Sequence, residues 1–169
     1  MTSEEHIVEL ALSTKVVARV NDGEWTTSTV ESLLEAFPAS KISVLVWGGK
    51  SVRTAEVQQL SELPFVDSMN IHKVTVGGEK IRCSAKSKWP VIGKRGEVSY
   101  EPASALKSGS RVVSHPRFGK DALHNLVGYQ GYDPMALAQV KTAHERLPLA
   151  ALSVRGGGSI LLSNGAFLG

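Results

Sequence analysis

The 169-residue sequence predicts a mainly β protein with a helical excursion before its last strands, and three observations lead there. Through most of the first 113 residues, β-branched residues alternate around Gly and Asn turns. Between Pro116 and Pro148, Ala and Leu replace Val and Thr. After Pro148 the strand-like pattern returns. The length suits one domain, and a hydrophobic content of 42% suffices for a core without metal or disulfides.

The first element is a hairpin, since TKVVARV and WTTSTV flank Asn21, Asp22 and Gly23, turn formers that take positive φ at low cost. A short amphipathic helix follows over residues 28–37, with Val30, Leu33, Leu34 and Phe37 at helical spacing behind a Ser/Thr cap and Pro38 as its stop. ISVLVW and SVRTAEV around Gly48 and Gly49, then NIHKVTV and EKIRCSA around Gly77 and Gly78, read as two more hairpins. The excursion over residues 116–148 predicts helices at 120–129 and 134–146. Asp133 would cap the second, and Pro134 would sit in its first turn, where no N–H is needed. Its apolar residues Met135, Leu137, Val140 and Leu147, interspersed with Lys141, Glu145 and Arg146, suit packing over a β core or a contact surface alike. LAALSV and SILL then flank Gly156, Gly157 and Gly158. Those glycines lack the helix and Lys-Ser/Thr ending of a phosphate loop, and read as a flexible hairpin tip.

Several function classes are set aside. No run reaches the roughly 18 consecutive apolar residues of a membrane-spanning helix, and the start, MTSEEHIVELALS, has acids where a secretory signal carries bases. A soluble, non-secreted protein is expected. The lone Cys83 allows no internal disulfide and reads as a small buried hydrophobe, in keeping with a reducing compartment. The net charge of +3 arises from 19 Lys and Arg interleaved with 16 acids, which is no nucleic-acid signature. One basic cluster, Lys86, Lys88, Lys94 and Arg95 around Trp89, has the ingredients of a single-strand binder, but a solvated hairpin with Trp89 half in the core is the preferred reading. The five histidines, His6, His72, His115, His124 and His144, include no pair at metal-ligand spacing, so no metal or other cofactor is expected.

Three blocks in order resemble the Hedgehog/intein (Hint) family. Ala11-Leu12-Ser13-Thr14-Lys15-Val16 is similar to the family's opening, a nucleophilic Cys or Ser before a Thr-x-Val strand. Residues 80–113 resemble the central block, a strand leading to Thr-x-x-His, a Gly-bearing hairpin and Ala-x-x-Leu-x-x-Gly-Asp-x-Val. Here these are Ser84 and Ser87, Gly96, then Ala103, Leu106, Gly109, Ser110 and Val112. LAALSVRGGGSILLSNGAFLG looks like the closing hairpin, with its Asn-Gly turn and final His-Asn pair. The resemblance covers residues 11–113 and 147–169 and implies a Hint-like arrangement of hairpins, with the short helices inserted between the second and third blocks.

The resemblance also implies a chemistry whose groups are missing. An acyl shift needs a nucleophile at the opening position, where Ala11 offers a methyl group. Ser13 or Thr14 could take that place only with a shifted register, and both read better as backbone hydrogen-bonders. The central histidine protonates the departing amide nitrogen, and Ser87 is far too weak an acid for that. Leu168 and Gly169 stand for the final His-Asn pair, and Ala151 for the Asp of the closing strand. The Asn164-Gly165 pair, the least hindered setting for succinimide formation, reads as a hairpin turn. The excursion is too short for a homing endonuclease and lacks its paired acidic motifs.

The resulting expectation is a catalytically silent Hint-like domain with no catalytic residues, acting as a structural or interaction module with other protein chains as partners. A chain that starts at Met1 and stops on the last strand of the fold would suit a larger assembly such as a phage virion, and is otherwise expected in the cytoplasm. Two alternatives stay open: autoprocessing, either residual cleavage before Ser13 or an engineered inactive intein, and weak nucleic-acid binding through the hairpin spanning residues 86–95.

Overall fold

The computed structural model describes residues 7–66, 70–115, 131–143 and 145–169. The hairpins form where the turn chemistry puts them. Strands β1 (Val8–Ala11) and β2 (Lys15–Val20) lead to a turn in which Asn21 and Asp22 take φ of 52° and 63°, and β3 (Thr26–Thr29) returns along β2. Helix α1 (Val30–Ala36) starts at Thr29, whose Oγ1 accepts the Ser32 N–H at 3.2 Å, and buries Val30 and Leu33.

Then come β4 (Ile42–Trp47), β5 (Val52–Val66), β6 (Ile71–Val76), β7 (Glu79–Ser84), β8 (Lys88–Ile92) and β9 (Val98–Pro102), with a 3-10 turn at Ala103–Ala105 before β10 (Arg111–Ser114). The remaining strands are β11 (Asp133–Thr142), β12 (Leu147–Val154), β13 (Ser159–Leu161) and β14 (Phe167–Leu168). All of their pairings are antiparallel, in the order β14-β13-β4-β5-β12-β1-β7-β6-β11-β10-β8-β9, with β2 joining β3 to β4. Although β14 and β8 stand near opposite ends of this order, the Gly169 N–H donates to the Lys88 carbonyl at 2.8 Å and Ser114 bridges Ala166. The strand path therefore curls round until its ends meet. A core including Leu10, Val44, Val74, Cys83, Trp89, Leu137 and Leu152 fills the inside.

Three expectations change. The segment expected to be the second helix is β11 over Asp133–Thr142, paired with β10 on one side and β6 on the other. A register shift between Leu137 and Gln139 explains the misreading: the extra residue of a bulge turns strand spacing (Met135, Leu137) into a helix-like step of three to Val140. Two ladders of hydrogen bonds then override a weak local preference. The tri-glycine turn is a corner and not a hairpin tip, because β12 pairs with β1 and β5 while β13 pairs with β4 and β14. Trp89 is not half but wholly buried, at 0% exposure, so it offers no stacking face to a nucleic acid. The helix expected at residues 120–129, and the residues His6, His124 and His144, lie outside the described residues. Among the described residues no helix is long and apolar enough to cross a membrane.

Candidate functional site

The turn between β7 and β8 brings Ser84 and Ser87 together. The Ser87 N–H donates to the Ser84 carbonyl at 3.0 Å, and a turn closed in this way sets side chains three apart side by side. Their hydroxyls meet at 2.9 Å, and both residues are buried. Ser87 also reaches β1, accepting the Glu9 N–H at 3.1 Å and lying 3.2 Å from the Glu9 carbonyl, to which it can donate. With one proton and two lone pairs, the hydroxyl is fully engaged by these three neighbours.

The other positions singled out from the sequence converge on the same peptide. Ala151 on β12 lies directly opposite Glu9 on β1. Gly169 lies beside Val8: a Cβ built on it would stand 2.9 Å from Val8 Cγ2, and its φ of +127° is one that side-chain-bearing residues rarely adopt. Its carbonyl accepts the buried Ser159 hydroxyl at 2.8 Å. An asparagine has no room there.

This geometry corrects the sequence register. Ser87, in the place of the acid, touches the amide nitrogen of Glu9, and Ala11 is packed elsewhere, with Ile71, Ala143 and Leu149. The bond at the meeting point is Val8–Glu9, two residues before the one assigned from the opening motif. The signal that could have found it is the strand pattern itself, because VELA pairs residue for residue with LAAL of β12 and places Glu9 opposite Ala151. The Glu9 carboxylate is held 3.5 Å from Lys86 Nζ. Ser13 is exposed and Thr14 is buried in the turn after β1, its N–H donating to the Ala11 carbonyl at 3.0 Å, as suits a backbone hydrogen-bonder.

The titratable groups nearby are poor reactants. Cys83, opposite Leu10 on one side and His72 on the other, is fully buried, and burial pushes its thiol up to about 12 against a small opposing effect of the Trp89 indole. It therefore stays a protonated hydrophobe at neutral pH. Burial also lowers the His72 pKa, and it lowers that of His115 with Asp133 opposing. Both histidines favour the neutral form. Among the described residues no group of three or more metal-ligating side chains is found.

No family model matches the sequence, and no curated protein matches it. Solved structures do. An intein from a hyperthermophile superposes with a TM-score of 0.76 at 12% identity, over 95% of this chain and 98% of the other. The PabCDC21-1 intein gives 0.69 at 17% identity over 95% and 96%, and the transcription factor IIB Mvu mini-intein gives 0.69 at 14% over 95% and 98%. The chain has the intein, or Hint, fold over almost its whole length.

Proposed function

We propose that this intein-fold chain is a catalytically silent scaffold that serves as a structural or protein-interaction module. The observation that carries the reading is the state of the Val8–Glu9 peptide. Its amide N–H is answered by the fully engaged Ser87 hydroxyl, the residue across from Glu9 is Ala151, and the neighbouring Gly169 has no space for a side chain. An acyl shift needs a nucleophile, and the departing nitrogen needs an acid whose pKa lies near the working pH. A serine hydroxyl in a closed hydrogen-bond network supplies neither proton nor base, and the Glu9 carboxylate is paired with Lys86. The strands, the turn and the meeting of the ends remain in place around it.

The test is intact-mass spectrometry of the purified chain during long incubation with and without thiol. A constant mass is expected. A fragment that accumulates with time, ending at Val8 or at the residue before Ser13, would overturn the proposal and establish autoprocessing. The module half of the reading predicts a complex larger than one chain in native sources, and isolation of strictly monomeric protein would remove it.

A further inference from the structure

Gly169 also lines a cleft of about 460 Å³, together with Gly48, Arg53, Lys88, Tyr100, Gly156 and Gly158. Its two cations come from distant parts of the sequence, β5 and β8, and a chain of contacts links the Arg53 guanidinium to the Lys88 backbone carbonyl. Arg53 Nη2 donates to the Gly157 carbonyl at 2.7 Å, the Cβ position of Gly169 lies 3.4 Å from the Gly158 carbonyl, and the Gly169 N–H donates to Lys88. Glycine at 156 gives the guanidinium its place, since a Cβ there would stand 3.2 Å from Arg53 Nη2. One edge of the guanidinium is thus fixed by a backbone carbonyl. Among the described residues neither Arg53 nor Lys88 is ion-paired with a carboxylate. Two positive charges that no described carboxylate side chain pairs, one of them held in position, favour an oxyanion over solvent.

Tyr100, 45% exposed, stands at the rim on β9, the last strand of the sheet path. Among the described residues its strand pairs on one side alone, with β8. Residue 90, opposite Tyr100, is a proline with no N–H to give, and the Lys88 carbonyl points away from β9 toward Gly169, so residues 88, 90 and 92 face away from β9. Residues 99 and 101 consequently bond to β8, while the N–H and C=O of Tyr100 point outward. An exposed edge of this kind accepts an extended chain.

We infer that the cleft between Arg53, Lys88 and Tyr100 docks an acidic, extended segment of a partner protein, which pairs along β9 and sets a carboxylate between the two cations. This deepens the interaction-module reading and rests on it only for the nature of the occupant.

The test is fluorescence anisotropy with fluorescein-labelled decaglutamate on the intact chain, with inorganic phosphate as a competitor and the intact mass of the same sample recorded. Saturable binding that weakens with salt is expected, as is a loss of about tenfold in each of Arg53→Gln and Lys88→Gln. Arg53→Lys keeps the charge and should lose less, and Tyr100→Pro removes the outward N–H and should also weaken binding. Lys15→Gln, the same charge change on β2, should leave binding unchanged. Equal weakening by Lys15→Gln, or no saturable binding by correctly melting protein, overturns the inference. Phosphate binding without peptide binding makes the cleft a small-anion site and overturns the partner. A constant mass in a sample that fails to bind leaves the silent scaffold standing and removes only the docking site.

Discussion

Asn164 donates through Nδ2 to the Val76 carbonyl at 2.9 Å, joining the closing hairpin to the strand 88 residues earlier. Its Oδ1 meanwhile accepts the Ala166 N–H at 3.0 Å. Both ends of the side-chain amide are thus occupied in a place where an unhindered Asn-Gly pair would otherwise close on itself.

Succinimide formation needs the Gly165 nitrogen to attack Asn164 Cγ, and the Gly165 N–H is itself spent on the Leu162 carbonyl at 3.0 Å. Deamidation at Asn164 should therefore be at least about tenfold slower in the folded chain than in urea, because the amide must first give up two hydrogen bonds. Peptide mapping of samples aged in both conditions checks this, and equal rates would contradict the geometry.

If the scaffold has kept the shape of an acyl-shift site and lost only its groups, restoring them should matter at one bond. A Glu9→Cys, Ser84→Thr, Ser87→His triple variant should show thiol-dependent cleavage between Val8 and residue 9, where the unchanged chain shows none. The same changes with cysteine placed at Ala11 should be inert. Mass spectrometry distinguishes the two, and cleavage before residue 11 would restore the register read from the sequence.

Folding lowers the pKa of His72 and of His115, in each case chiefly by burial. The unfolded chain then binds more protons than the native one below the ordinary histidine range of about 6.5. Stability should be fully present above that value and fall as the pH drops through the lowered native pKa values. Urea midpoints at neutral pH and near pH 5 should differ in that direction, and His115→Gln should flatten the difference if the protein still folds.

Gly169→Asn should cost about 1–3 kcal/mol, through a side chain pressed on Val8 and a φ of +127° that only glycine takes freely. Thermal melting reads this directly. An unchanged melting temperature would mean that the end of β14 relaxes without loss.

Much of this was legible in the chain because the local signals agreed with the global fold. Asn21, Asp22 and Gly23 turn where turn residues should, and Thr29 caps the helix that its neighbours at helical spacing continue. Residues 133–142 were not legible, because a bulge near Leu137 counterfeits helical spacing and only the ladders from β6 and β10 show otherwise. The candidate site was legible in its parts but not in its register. The central block singled out Ser84 and Ser87, which the structure brings into contact, yet which amide they face depends on how β1 lies between β7 and β12, a long-range pairing that spacing within the opening motif does not encode.

The contact between Val8 and Gly169 has a consequence for protein engineering. Because β1 begins beside the end of β14, the segment 8–169 enters and leaves at adjacent points, and its insertion into a surface loop of a host protein should keep the two cut ends of the host close together. A reporter split around it should keep its halves in register, which makes the domain a candidate hinge between modules whose separation must not change.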